Sequence, residues 1–234
     1  MILNTGSRTD IPACYSDWFY NRIKEGYVLS RNPYYPTQIT KYLLNPEVVD
    51  MLVFCTKNPL PMLDRLSLLS AFDMLWFVTI TPYGKEIEPH VPPVEQVILS
   101  FQKLSGQVGK ERMSWRYDPI FITDKYSVDH HIKQFQRMAE SLSGYTEQCV
   151  VSFIDLYEKT LRNFHGVRSV TNKEQEKLIA AFSEIATENG LQIHLCCENE
   201  NLIRKNVDAD GCMSRAVIEK ALGCRLHVPQ KKAA

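Results

Sequence analysis

Two hydrophobic patterns alternate along the chain, and each predicts a different kind of element. Short, unbroken apolar runs are typical of strands buried on both faces of a sheet, and they occupy 51–56, 75–80, 149–154 and 192–196. Between these runs, apolar residues recur every three or four positions, which predicts helices that pack through one face. Three such stripes are formed by Val94, Val97, Ile98, Phe101, Leu104 and Val108, by Val128, Ile132, Phe135, Ala139 and Leu142, and by Leu178, Phe182 and Ile185.

Local signals place some helix ends and one irregular segment. The residues Thr171-Asn-Lys-Glu174 form a capping box that begins the third helix, and Asn189-Gly190 ends it. A last helix is predicted over 213–222, directly before Gly223. The segment near 27–44 is rich in Tyr and Pro, and we expect it to be an irregular insertion, for which a hairpin is one option.

The alternation of strands and helices predicts a parallel sheet covered by helices. We expect one domain over 1–234 with an α/β fold, in which six βα units form a partial (β/α)6 barrel of the TIM-barrel type. A doubly wound sheet is the competing topology, but its commonest nucleotide-binding fingerprints, G-x-G-x-x-G and the P-loop, are absent. The six strands are expected near 1–6, 51–56, 75–81, 112–117, 148–154 and 192–197.

Composition narrows the class of protein. The 234 residues are 44% hydrophobic and 23% charged, values that fit a folded globular chain. The 27 basic residues equal the 27 acidic ones, so net charge does not support a nucleic-acid partner, although it leaves room for a local basic patch. No apolar stretch reaches a membrane span and no signal peptide is visible, which predicts a cytoplasmic protein without a membrane partner. The seven cysteines are irregularly spaced and odd in number, which argues against a disulfide framework.

Charged and polar residues follow the predicted strands at the positions where each strand ends. The carboxyl ends of barrel strands meet at one face, and that face carries the active site of such folds. We therefore expect a common site built from Arg8, Asp10, Lys57, Asn58, Arg116, Asp118, Asp155 and Glu198. Solvated loop charges are the plain alternative, with a structural ion pair between Arg116 and Asp118.

The residue types at this face suggest a small polar or anionic substrate and acid–base catalysis. The expected catalytic residues are the carboxylates Asp10, Asp118, Asp155 and Glu198. The expected substrate-binding residues are Arg8, Lys57, Asn58, Tyr83, Arg116, Tyr117, Tyr157 and Lys159. No residue is assigned to a metal, because histidine-based zinc spacings such as H-E-x-x-H are absent.

The histidines and the paired cysteines give weaker signals. His130 and His131 lie beside an apolar helical stripe and are predicted to be surface residues. His194 alternates within a strand and is predicted to be buried and hydrogen-bonded. Cys196 is expected in the core, while the strand pattern leaves the side of Cys197 open.

Several motifs in order resemble the bacterial family known as domain of unknown function 1848. They are Ser7-Arg-Thr-Asp-Ile-Pro12, Tyr27-Val-Leu-Ser-Arg-Asn-Pro33, Thr56-Lys-Asn-Pro59, Trp115-Arg-Tyr-Asp-Pro119, Ser143-Gly-Tyr-Thr-Glu147 and Gly211-Cys212. The resemblance runs from residue 2 to about 226. It implies a C-terminal cysteine cluster similar to the [4Fe–4S] motif of radical S-adenosylmethionine enzymes, on a partial barrel.

This chain departs from that pattern after Leu226, where the expected cysteines are missing. A [4Fe–4S] cluster that activates S-adenosylmethionine needs three closely spaced cysteines, so the sequence as it stands predicts no such cluster, through shortening or natural variation. Three hypotheses follow: radical chemistry in full-length relatives, a cluster-less enzyme using acid–base chemistry or a divalent metal, and a non-catalytic module that binds a small molecule. The carboxylates would suit Mg²⁺ or Mn²⁺ in the second case.

Overall fold

The fold is described from a computed structural model, over residues 1–6, 8–164 and 166–227. Nine strands are present in these residues, and they include all six that the sequence predicts. They are β1 (Ile2–Asn4), β2 (Tyr27–Arg31), β3 (Ile39–Leu43), β4 (Met51–Thr56), β5 (Met74–Thr79), β6 (Met113–Ile120), β7 (Gln148–Phe153), β8 (Gln192–Leu195) and β9 (Val207–Asp208).

Seven strands form one parallel sheet in the order β1-β4-β5-β6-β7-β8-β9. The order follows the chain without reversal, so the doubly wound alternative is wrong. Among the described residues β1 and β9 are the sheet edges and do not pair, so the strands form an open sheet and no closed barrel is present. The main sheet thus has seven strands, where the sequence predicted six. The additional strand, β9, was missed because its two residues are too few to show a hydrophobic pattern.

The insertion near 27–44 is an antiparallel hairpin of β2 and β3, as one reading of the sequence expected. The hairpin lies outside the main sheet. Several of its large apolar side chains are exposed, including those of Leu29 and Ile39.

Within the described part of the chain, eight α-helices connect and cover the strands. The three predicted amphipathic stripes and the capping box at Thr171 are confirmed, as is the last helix, which begins two residues later than expected and ends at Gly223. The helices are α1 (Ile11–Cys14), α2 (Ser16–Glu25), α3 (Leu60–Leu63), α4 (Val94–Val108), α5 (Val128–Leu142), α6 (Glu158–Asn163), α7 (Asn172–Glu188) and α8 (Arg215–Leu222). Short 3₁₀ turns span Leu66–Leu69, Lys110–Arg112 and Glu200–Leu202.

Most helices pack on one face of the sheet, here called the helical face. Residues of α2, α3, α4, α5 and α7 form one buried cluster with alternate residues of the strands. At its centre Phe135 stacks on Phe182 with ring centroids 3.8 Å apart, and on Trp115 at 4.8 Å. Sequential right-handed crossovers place successive helices on the same side of a parallel sheet, which accounts for this arrangement.

The opposite face of the sheet carries α8 and is here called the α8 face. Val217, Ile218 and Ala221 of α8 pack on apolar residues of the strands, which include Met51 and Phe77. Glu147, directly before β7, pairs with Lys220 of α8 at 3.0 Å. The helix therefore lies towards the amino-terminal ends of the strands on this face.

His131 corrects the prediction of a surface residue, because its side chain is fully buried under the helical face. Its Nε2 lies 2.9 Å from the Phe121 carbonyl oxygen, which can only accept, so Nε2 carries the proton. Its Nδ1 then accepts a hydrogen bond from the Tyr117 hydroxyl at 2.8 Å. The partners come from β6 and its following loop, so a helical stripe alone could not reveal them.

Burial of His131 makes the fold sensitive to acid. Burial lowers the pKa of this histidine to about 4 from an ordinary 6.5. The unfolded chain then binds a proton at pH values where the folded chain does not, so stability present above pH 6.5 is lost as the pH falls towards 4. This loss amounts to about 3 kcal/mol. We expect urea titrations of His131→Gln to lack this part of the pH dependence, while His130→Gln keeps most of it; an unchanged slope in His131→Gln would contradict the assignment.

No helix among the described residues combines the length and the apolar character that a membrane crossing requires.

Candidate functional site

One row of side chains crosses the α8 face, and its Val150 also packs in the buried cluster that contains α8. The register of the parallel strands aligns Thr79, Arg116, Val150, His194 and Asp208 across β5 to β9. Paired residues of neighbouring strands point to the same face, so this row is polar at four of its five positions. Polar side chains are costly in a packed interface, and their concentration here marks the candidate site.

Arg116 of this row forms an ion pair with Asp118, two residues further along β6, and the pair is largely shielded from water. Their side chains are 21% and 15% exposed. The register of β6 and β7 shifts between Tyr117 and Ile120, so that two residues of β6 oppose Ser152. Such bulges re-aim side chains, and here the Ser152 hydroxyl donates a hydrogen bond to Asp118. The predicted proximity of Arg116 and Asp118 is therefore present.

Arg116 has hydrogen-bonding capacity left over. Its Nε is buried and has no hydrogen-bond partner among the described residues. A buried donor without a partner costs free energy, so an acceptor bound at this position would be stabilising.

Two cysteine thiols, of Cys55 and Cys212, lie near the Arg116 guanidinium, and a third contacts one of them. A hydrogen bond from Cys196 is the main cause that lowers the pKa of Cys212, and the Arg116 charge adds to it; the same charge opposes the rise that burial causes in the pKa of Cys55. The third thiol, of Cys196, donates a hydrogen bond to the Cys212 sulfur, with 3.5 Å between the sulfur atoms. We call Cys55, Arg116, Asp118, Ser152, Cys196 and Cys212 the polar cluster.

Glu198 lies at the edge of the polar cluster, next to the end of β7. Its Oε1 accepts a hydrogen bond from the Phe153 backbone at 2.6 Å, and its other oxygen makes no hydrogen bond to the described residues. Burial is the main cause that raises the pKa of Glu198, and the charges of Asp155 and Asp118 add to it. A carboxyl group with a raised pKa is suited to proton transfer near neutral pH.

The chain turns sharply just before Glu198. Cys197 has a φ of 62°, in the left-handed region that non-glycine residues rarely adopt. The side chain of Cys197 is exposed. The turn thus brings Glu198 back against β7.

Three of the predicted site residues stabilise local backbone structure or form a separate ion pair: Asp10, Lys57 and Asn58. One Asp10 oxygen caps α1 through the Ala13 amide at 3.0 Å, and the other accepts from the Lys57 amide at 2.7 Å. The Lys57 ammonium pairs with Glu88. The Asn58 side chain accepts from the Leu60 amide at 3.2 Å, at the start of α3. The structure therefore gives these three predicted site residues structural roles, although the charge of Asp10 lies near enough to Cys55 of the polar cluster to act on its pKa.

Four further predicted site residues point to solvent. Arg8 donates a hydrogen bond to the Arg31 carbonyl of the hairpin. The hydroxyl of Tyr157 donates to Asp155 at 3.1 Å, and both side chains are exposed. Lys159 is exposed at the start of α6. Of this group, Asp155 alone lies near enough to Glu198 to affect its pKa.

The two remaining predicted tyrosines are core residues, which corrects their assignment to substrate binding. Tyr117 is fully buried on the helical face, since it alternates with Arg116 and Asp118 along β6. Tyr83 is 7% exposed and stacks on Phe121, and its hydroxyl donates to the Pro119 carbonyl at 2.7 Å. Burial raises the pKa of both phenols above the ordinary range.

The sequence reasoning missed several residues of this face. Ser152 interrupts the apolar run of β7, and this interruption could have indicated a polar position on one face of the sheet. His194, predicted to be a hydrogen-bonded interior residue, pairs through Nδ1 with Asp208 at 2.9 Å. Asp208 lies on the unpredicted β9. Cys212, in the following loop, was noted in the sequence as part of the Gly211-Cys212 motif of the family resemblance and not as a site residue.

The residues present do not fit the iron–sulfur cluster that the family resemblance implies. Among the described residues no group of three or more His, Cys, Asp or Glu side chains could hold a metal ion. The four predicted carboxylates likewise do not assemble as a divalent-metal site in that part of the chain. Residues 228–234, where the resemblance places the cysteines, lie outside the described residues.

Comparison with known proteins identifies the family but no individual counterpart. Searches of curated proteins and of solved structures gave no match. The family model described as "Domain of unknown function (DUF1848)" matches residues 2–234. The match extends over nearly the whole chain and agrees with the order of motifs from Ser7 to Cys212. The chain belongs to the DUF1848 family.

Proposed function

We propose that this protein is an enzyme that binds a small anionic substrate against Arg116 and moves a proton with Glu198. The observation that carries this proposal is Arg116 itself, a shielded guanidinium with an unpartnered Nε at the carboxyl ends of parallel strands. An arginine in this setting favours carboxylate or phosphate groups over neutral ones. The second oxygen of Glu198, which makes no hydrogen bond to the described residues, supplies an acid–base group near Asp118, the partner of Arg116.

The proposal includes a partial barrel as the architecture of the site. Its support is the sequential strand order, the helices on one face and α8 on the other. In barrel folds the carboxyl ends of the strands carry the chemistry. The free thiols of the described residues suit a reducing cytoplasm.

Anion binding is tested by thermal denaturation with citrate and inorganic phosphate, and with glycerol as the uncharged control. An anion at ten times its Kd adds about 1.4 kcal/mol, which raises Tm by about 3–6 °C for a chain of this size. We expect this rise in the wild type and its loss in Arg116→Gln. Arg112→Gln is the matched control, because Arg112 pairs with Asp73 at the other end of the strands. Equal shifts in both variants would refute the role of Arg116.

Proton transfer is tested separately, by NMR in deuterated water on a panel of small carboxylic acids and phosphate monoesters. We expect wild-type protein to incorporate deuterium or form product with at least one compound, and Glu198→Gln to be about 100-fold slower. Glu198→Gln should retain the anion-dependent Tm shift. Anion binding without turnover of any compound would instead support a non-catalytic binding module.

A further inference from the structure

Cys196 and Cys212 are the thiols of the polar cluster that touch each other. Cys196 directly follows β8, and Cys212 lies in the loop between β9 and α8. Their sulfur atoms are 3.5 Å apart, and both side chains are partly exposed. A disulfide bond needs a sulfur–sulfur distance of about 2.05 Å, so a small movement of the loop would join them.

The surroundings of the pair make the two thiols chemically different. The hydrogen bond that Cys196 donates is the main cause that lowers the pKa of Cys212 to about 7, and Arg116 adds to it against the effects of burial, Cys55 and Asp118. The same hydrogen bond and burial raise the pKa of Cys196. The thiolate is the nucleophilic form of cysteine, so Cys212 is the attacking residue and Cys196 the resolving one.

We propose that Cys196 and Cys212 form a reactive dithiol that takes a low-molecular-weight disulfide, of the oxidised glutathione type, as its substrate. The Cys212 thiolate attacks one glutathione sulfur, the disulfide bond of the substrate breaks, and one glutathione thiolate leaves. The Cys196 thiol loses its proton to solvent and attacks the Cys212 sulfur, which releases the second glutathione. Two protein thiols lose two electrons, and one oxidised glutathione becomes two reduced ones.

This proposal can be tested independently of anion binding at Arg116, because the experiment detects a covalent bond between Cys196 and Cys212. Its consequence for the fold is a tether from the end of β8 to the loop that leads into α8. Cys197 could compete with Cys212 for a disulfide bond to Cys196, since the thiols of Cys196 and Cys197 lie close enough to affect each other's pKa. The experiment must therefore distinguish three possible disulfide bonds: Cys196–Cys212, Cys196–Cys197 and Cys197–Cys212.

The test treats the full chain with oxidised glutathione near pH 7, quenches with acid and maps the cysteines by peptide mass spectrometry. We expect a Cys196–Cys212 link with loss of two hydrogen atoms and no retained glutathione. Cys196→Ser should accumulate a glutathione adduct on Cys212, and Cys212→Ser should react at least tenfold more slowly at Cys196. The exposed-cysteine variants Cys14→Ser and Cys224→Ser are matched controls that should react like the wild type.

Other results would overturn the proposal. A Cys196–Cys197 link, adducts spread over Cys14 and Cys224, or no reaction in the wild type would each do so. Each of these results is read from the peptide map of the wild-type protein. The proposal can therefore be refuted even if a cysteine variant fails to fold. The alkylation rate of Cys212 by iodoacetamide should also rise with a midpoint near pH 7, and Arg116→Gln should shift that midpoint upwards; an ordinary cysteine profile in the wild type would contradict the assigned roles.

Discussion

Replacing Phe135 with Ala is expected to lower the free energy of unfolding by about 3–5 kcal/mol, which corresponds to a fall in Tm of about 6–20 °C. The side chain is fully buried and lies between the rings of Phe182 and Trp115. Its removal leaves a cavity bounded by α5, α7 and β6, where large aromatic neighbours cannot close in without leaving their rotamers. Urea and thermal denaturation followed by circular dichroism measure the loss.

The matched control for this substitution is Leu99→Ala in the neighbouring α4. Leu99 is 57% exposed, so its truncation should cost less than about 0.5 kcal/mol. Similar losses in the two variants would contradict the packing of α5 against α7 described above.

Removing the charge of Asp118 is expected to be as damaging, for a different reason. Asp118→Ala leaves the guanidinium of Arg116 shielded from water without its carboxylate partner, and stranding a buried charge costs about 3–5 kcal/mol. The double variant Arg116→Met with Asp118→Ala removes both charges. It should therefore recover much of the stability that the single variant loses, in the same urea titrations.

The control for the ion pair is Asp129→Ala, whose carboxylate is 83% exposed and pairs with Lys177. Exposed pairs contribute little to stability, so this variant should stay within about 0.5 kcal/mol of the wild type. If Asp118→Ala and the double variant lost the same stability, Arg116 would not depend on Asp118 for its burial.

The strands of the sheet could be predicted because parallel strands are buried on both faces and appear as unbroken apolar runs. The same property limits the prediction, since two residues such as Val207–Asp208 are too few to form a run. The helices α4, α5 and α7 were predicted from their apolar stripes. The four residues of α1 are too few for a stripe, and the comparable amphipathic pattern of the ten-residue α2 was overlooked.

The candidate site was only partly visible in the sequence, because polar residues at strand ends serve two purposes. Arg116, Asp118 and Glu198 do lie together. Asp10 and Asn58 instead satisfy backbone amides at the starts of α1 and α3, a role that any acidic or amide side chain at a helix start can take. Pairings such as Cys196 with Cys212, or Tyr117 with His131, depend on which elements pack together, and no local pattern contains that information.

The position of α8 has a consequence for synthesis of the chain on the ribosome. Met51, Leu75 and Phe77 are made early, yet the residues of α8 that cover them emerge far later. Contacts so distant in sequence slow folding, and the uncovered apolar surface of a nascent sheet invites aggregation. Until α8 arrives, the growing sheet is therefore a natural client for the chaperones that shield emerging polypeptides.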